Sequence, residues 1–148
     1  MKSPEDEVRA ASARFYQEIN RMTNGDASGM ASVWLHKGDV TTMHPIGGRE
    51  IGWDEVQASW LAVAKVSTDG KIRIENQEIR ASGDMAYEIG VERGSLRLAG
   101  HRVEIDDRFT NVYRKVDGAW KIVHHHTDVS PSMVEALNQL LARTSASR

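Results

Sequence analysis

The chain has no cysteine. Disulfides, thiolate catalysis, cysteine-based zinc sites and iron–sulfur clusters are therefore excluded. An excess of one charge is missing too: 19 Lys and Arg stand against 21 Asp and Glu, a net charge of -2. A protein built to hold nucleic acid normally carries a basic excess, so no nucleic-acid partner is expected. No apolar run approaches the ~20 residues that cross a bilayer, so no membrane partner is expected either. The N-terminal stretch MKSPEDEVRAASARF is acidic and polar and lacks the apolar core of a signal peptide. A cytoplasmic location is the expectation. Gly47-Gly48-Arg49 does not continue into the Gly-x-x-x-x-Gly-Lys pattern of a phosphate loop. There is no internal repeat, linker or low-complexity stretch.

What is present suits a single domain, residues 1–148, with 40% hydrophobic and 27% charged residues. Ser3, Pro4 and Asp6 suit the start of a helix, as cap, first position and capping-box acid. Val8, Ser12, Phe15, Ile19 and Met22 then lie on one helical face. Asn24-Gly25-Asp26 stops that helix, and Asp26 is placed to cap a short second one through Met30 and Val33. A short strand is predicted at Val40–Met43, an irregular stretch at His44–Gly48, and a helix from Trp53 to Val66. From Lys71 onward four long strand-like runs alternate with turn signals at Ser82-Gly83-Asp84, Ala99-Gly100 and Asp117-Gly118. Strands well beyond the usual length of about five or six residues must bend. Tyr87, Ile89 and Val91 are apolar at odd positions and Leu96 and Leu98 at even ones. This parity switch predicts a β-bulge at Arg93-Gly94. A last helix follows Ser130-Pro131, with Ser132 and Glu135 as a second capping box. Helices followed by an antiparallel meander give an α+β fold, a bent sheet wrapped around helices with a cavity on its concave side.

Polar residues on apolar faces mark candidate chemistry. Between Arg102 and Tyr113 the odd positions read Val103, Ile105, Asp107, Phe109, Asn111, Tyr113, so that face points inward and takes Asp107 and Asn111 with it. A buried carboxylate needs partners or a shifted pKa, and such groups gather at functional sites. The following strand carries His124-His125-His126. A two-residue turn at Asp117-Gly118 sets His124 opposite Asn111, whereas a three-residue turn with a glycine bulge sets His125 there; the pattern leaves both open. His124 and His126 share a face, but no third ligand is identifiable and no metal is assigned. His44 ends a strand before Pro45 and opens a glycine-containing loop. With an ordinary pKa near 6.5 it suits a general base, or a residue that fixes the loop. Trp60, on a helix facing the concave side, serves as core, as ligand wall, or as both.

These segments, Asn24-Gly25-Asp26, Met43-His44-Pro45-Ile46-Gly47 and the hairpin from Thr110 to His126, resemble the nuclear transport factor 2-like superfamily, and within it the SnoaL-like branch. The resemblance runs from Val8 to Asp128 and implies a cone-shaped α+β barrel. It hosts enzymes, binding proteins and assembly domains alike. Ketosteroid isomerases of this superfamily have a general-base aspartate where His44 stands before Pro45-Ile46-Gly47. Their protonated oxyanion-hole aspartate corresponds to Asp107, and their tyrosine donor has Tyr16 as its candidate. The association domain of calcium/calmodulin-dependent protein kinase II is also similar across the hairpin. It carries cavity arginines at Asn111 and Thr127, and a tryptophan matching Trp60. That likeness favours His125 as facing the pocket and implies assembly through the outer sheet surface. The resemblance thus implies a pocket for a small apolar or aromatic molecule, lined by Tyr16, Trp60, Asn111 and His125. His44 and Asp107 form the catalytic pair, in cofactor-free isomerisation, cyclisation or dehydration. The other implied role is a non-catalytic oligomerisation or ligand-sensing domain, and a homodimer through the outer sheet face is implied in both.

Overall fold

Ser3 starts the first helix as its sequence predicts, its Oγ accepting from the Asp6 N–H while the Asp6 carboxylate accepts from the Ser3 N–H. In the computed structural model, which describes residues 2–146, the elements follow as α1 (Pro4–Met22), α2 (Met30–Val33), β1 (Thr41–His44), β2 (Gly47–Ile51), α3 (Trp53–Lys65), β3 (Ser67–Ser82), β4 (Met85–Leu98), β5 (His101–Val116), β6 (Ala119–Thr127) and α4 (Pro131–Ala146). The fold is α+β, with helices packed on a curved six-stranded sheet in the order β2-β1-β6-β5-β4-β3. Only β1 and β6 pair in parallel. The sheet stays open, with β2 and β3 as its edges.

Helix α2 is a single turn capped by Gly29, and Asp26 instead accepts from the Ser28 N–H. The stretch read as irregular after His44 contains β2, a short strand whose alternation is too brief to signal itself. Helix α4 is capped by Ser130, whose Oγ accepts from the Met133 N–H, while Ser132 donates to the Glu104 carbonyl.

Strand β5 alternates as its sequence predicts: Val103, Ile105, Asp107, Phe109, Asn111 and Tyr113 are buried. Strand β4 does not switch parity. It pairs with β5 without interruption from Met85–Arg114 to Leu98–His101, so no bulge lies at Arg93-Gly94. Its even face is inward throughout, burying Ala86, Glu88, Glu92, Leu96 and Leu98, while Tyr87 and Ile89 stand exposed on the outside. The register shifts fall on β3 instead, between Thr68 and Lys71 and between Glu75 and Glu78. Gly94 serves the first of these shifts. It holds φ +149°, and a Cβ there would overlap the Lys71 carbonyl oxygen.

Helix α1 lays Phe15 across the inner face, edge-on to Trp60 at 6.0 Å and to His125 at 5.1 Å. Such aromatic contacts each add about 0.5–1.5 kcal/mol beyond area burial. Among the described residues no helix is long and apolar enough to cross a membrane.

Gly94→Ala is expected to destabilise the protein by about 2–3 kcal/mol, since backbone rather than a side-chain end must move. A urea midpoint unchanged from wild type would show that the β3–β4 approach is looser than described.

Candidate functional site

Strand β4 carries two carboxylates to the inner face, four residues apart. Glu88 is completely buried. Its Oε2 accepts from Ser12 Oγ and Gln77 Nε2, both at 2.6 Å. Its Oε1 accepts from Tyr113 Oη at 2.7 Å and Asn111 Nδ2 at 3.0 Å. Four uncharged donors therefore hold one carboxylate, and a buried anion needs such partners.

Asn111 links this cluster to the next. Its Nδ2 also donates to Tyr16 Oη at 3.2 Å, and Tyr16 Oη donates onward to Glu92 Oε2 at 2.8 Å. The Asn111 Oδ1 then accepts from His125 Nδ1–H at 2.6 Å. That bond assigns the His125 tautomer and leaves Nε2 as a bare lone pair, 3.9 Å from Glu92 Oε2.

Glu92, His125 and His44 line one cavity of about 40 Å³, walled otherwise by apolar groups that include Ile72, Leu96, Ile105 and Met133. Pro45 and Ile46, from the β1–β2 turn, complete the wall. The Pro45 carbonyl accepts from the Ser130 N–H and so ties that turn to the start of α4. His44 has its own fixed tautomer. Ser59 Oγ donates to the Val56 carbonyl at 2.6 Å, so it accepts from His44 Nε2–H at 2.8 Å, and His44 Nδ1 keeps its lone pair. Trp60 stands edge-on to His44 with ring centres 4.5 Å apart.

Burial sets the protonation. It pushes the Glu92 carboxyl up from 4.5 to about 7, with the neighbouring Asp107 and Glu88 charges adding to the rise and the Tyr16 hydrogen bond opposing it. Burial lowers His44 to about 4. Burial, then His44 and the flanking histidines, hold His125 well below its ordinary value. Both imidazoles are therefore neutral at neutral pH, and of these three cavity groups only Glu92 titrates there.

The model of the SnoaL-like domain matches residues 8–131. This chain belongs to the SnoaL-like domain family. The SnoaL-like chain superposes on a candidate dehydratase of the NTF2-like family from Streptomyces avermitilis with a TM-score of 0.75 and 24% identity, covering 84% of this chain and 94% of that one. A candidate calcium/calmodulin-dependent protein kinase type II association domain from Thiobacillus denitrificans gives 0.66 and 24%, covering 82% and 93%. An NTF2-like superfamily protein from Salmonella enterica serovar Typhimurium gives 0.74 and 17%, covering 85% and 90%. The F-box protein SKIP8 of Arabidopsis thaliana is 29% identical over 100 residues, 68% of this chain. The match spans 41% of that relative's length.

Within this SnoaL-like domain the residues singled out from sequence divide. His44, Trp60 and His125 reach the cavity. Tyr16 and Asn111 stand behind it as links in the hydrogen-bond chain. Asp107 pairs across the strand with Glu92. It is buried with Oδ2 unpartnered, and burial followed by the Asp128 and Asp106 charges raises it to about 6. His125 faces inward by a route that neither turn alternative described. The Asp117-Gly118 turn has two residues and pairs Val116 with Ala119, yet the register shifts at Val123, so His125 still meets Asn111. His124 and His126 point to the outer face, where His124 Nδ1 bonds Thr41 Oγ1 at 2.6 Å. Among the described residues no three His, Asp or Glu side chains come together to hold a metal ion.

Glu88 and Glu92 escaped the sequence reading because Tyr87, Ile89 and Val91 made the odd face of β4 look like the inner one. A signal was present. A two-residue turn at Ala99-Gly100 pairs Leu98 with His101, so even positions of β4 lie opposite odd positions of β5. Placing Asp107 inside thereby places Glu92 inside.

Two outcomes are expected. Glu88→Ala strands the Ser12, Gln77, Asn111 and Tyr113 donors and should cost about 3–5 kcal/mol in denaturant unfolding; a loss below 1 kcal/mol would mean that water replaces the carboxylate. For Glu92 the folded-state pKa is the higher one, so ionisation opposes folding. The penalty is absent below the ordinary value of 4.5 and complete above about 7. Glu92→Gln should thus exceed wild-type stability by about 3 kcal/mol near pH 8, with the gap closing by about pH 4.5. A gap that does not change with pH would remove the assigned shift.

Proposed function

We propose that this SnoaL-like domain binds a small molecule in the cavity behind Ile46 and Met133 and exchanges a proton with it through Glu92. The observation that carries this reading is a carboxyl raised to about 7 on the wall of an apolar cavity. A general acid–base is most effective when its pKa lies near the working pH. Glu92 meets that condition, and His44, lowered to about 4, is the weaker base. In this reading Glu92 takes the base role that the ketosteroid isomerase likeness assigns to His44, and His44 orients the ligand. Asp107 acts from the neighbouring strand, where its charge helps to keep Glu92 protonated.

One carboxyl of this kind serves both halves of a cofactor-free reaction. Ionised, it takes a proton from the substrate; protonated, it returns one to a leaving hydroxyl or to a new carbon position. Isomerisation, cyclisation and dehydration all reduce to that pair of steps. The likeness to a candidate dehydratase supports the last of these. A cavity of about 40 Å³ has room for about three water molecules, so the ligand enters as a group of a few heavy atoms, and a larger ring requires the wall to move.

The outer sheet face carries Tyr87 and Ile89, 47% and 40% exposed, beside Val112. A homodimer through that face is part of the proposal, as is a cytoplasmic location.

The test is a panel of small alcohols, phenols, ketones, carboxylic acids and amines. Binding is followed by ligand-observed NMR, and turnover by deuterium uptake from heavy water. Glu92→Gln is expected to slow any turnover by about 10²–10⁴-fold. Silence across the whole panel, or turnover indifferent to Glu92→Gln, would overturn the reading.

A further inference from the structure

Tyr16, which backs the cavity, and His44, His125 and Thr23 on its wall each have a determined hydrogen, and those hydrogens are engaged elsewhere. Tyr16 Oη gives its proton to Glu92 Oε2. His44 Nε2–H goes to Ser59, and His125 Nδ1–H to Asn111. Thr23, which also lines the cavity, donates to the Asn20 carbonyl at 3.0 Å. Trp60 Nε1 is sealed within the wall, without an acceptor. The lone pairs that remain without a hydrogen-bond partner among the described residues are those of three cavity-lining side chains: His44 Nδ1, His125 Nε2 and Glu92 Oε1. Glu92 is itself only 5% exposed.

When Glu92 is ionised, the unpartnered polar atoms it shares with the two imidazoles are all acceptors, and such a set discriminates strongly. A ligand carboxylate or carbonyl would meet lone pair against lone pair, and each unmatched polar group in such a site costs about 1–3 kcal/mol. A ligand that brings hydrogens meets the wall fully. From this we propose that the cavity takes a small primary ammonium, its N–H groups donating to Glu92, His125 and His44. This rests on the reading above that the cavity receives a ligand, and it names the ligand's class. His125 Nε2 stands 3.9 Å from Glu92 Oε2, which already accepts from Tyr16, so a ligand nitrogen donating to His125 also lies beside the Glu92 carboxylate. The ammonium charge answers the Glu92 carboxylate, which has no basic partner. The titratable groups facing Glu92 are Tyr16 from α1, Asp107 from β5, His125 from β6, His44 from β1 and Glu88 on its own strand; none is lysine or arginine.

The experiment compares isopropylamine, isopropanol and acetate, which are alike in size and differ in charge and in donors. Ligand-observed NMR titrations use wild type, Glu92→Gln and Glu92→Asp near pH 8, with wild type repeated near pH 5.5. The amine is expected to bind at least about tenfold more tightly than the alcohol, and acetate to be the weakest, since a charge-assisted hydrogen bond is worth about 1.5–3 kcal/mol. Near pH 5.5 Glu92 is protonated and the preference should fall to nearly none. Asp107 titrates in the same direction, and both histidines remain neutral. Glu92→Gln should abolish the preference, whereas Glu92→Asp, which keeps the charge, should retain part of it. Equal binding of amine and alcohol, or a preference for acetate, overturns the ammonium class. Silence of the amine while phenols or ketones bind overturns it too, and leaves the cavity standing as a ligand site. Silence of every compound overturns both.

Discussion

A carboxylate buried on the inner face of a sheet with no cation beside it has to be held by neutral donors, and this fold is arranged around that requirement. Glu88 draws Ser12 from α1, Gln77 from β3, and Asn111 and Tyr113 from β5 onto its two oxygens. Desolvating such an ion costs several kcal/mol, while each hydrogen bond to a charged group returns about 1.5–3. The balance is favourable only when all the donors arrive together. Glu88 therefore constrains how α1 lies on the sheet, the register shift that brings Gln77 inward, and the pairing of β4 with β5.

Glu92 shares the strand and the face and lives under different conditions. It has Tyr16 as its single donor, Asp107 opposite on the next strand, and a place on the cavity wall. The same residue type is thus used once as a buried side chain held by four donors and once as a buried group with a single donor and a pKa of about 7. The Asn111–Tyr16 link makes the two dependent: the donors that satisfy Glu88 also orient the side chains around Glu92. His125 is fixed by the same link, since Asn111 can offer its carbonyl to the imidazole only because its amide nitrogen is turned to Glu88 and Tyr16.

The outer side of the sheet explains why this arrangement was hard to read. Tyr87 and Ile89 look like core residues on the strand, and their exposure places an apolar patch beside Val112, His124 and His126. Apolar residues on both faces remove the alternation that ordinarily distinguishes inside from outside.

Much of the fold was determined by the sequence itself. The Ser3–Asp6 capping box, the face of α1 through Val8, Phe15 and Ile19, the turn positions and the inward face of β5 with Asp107 and Asn111 follow from local periodicity and turn chemistry, which act over a few neighbouring residues. Only the tertiary structure decided which face of β4 is buried, that the bulges lie on β3 and at Val123, and that Glu88 and Glu92 stand inside while Asp107 is set behind the cavity. It alone also decided the tautomers of His44 and His125, and with them which of their lone pairs are left unpartnered beside the cavity. Those outcomes depend on which strand lies alongside which and on where each donor's hydrogen is directed, and both are settled by partners as many as 95 residues apart in the chain.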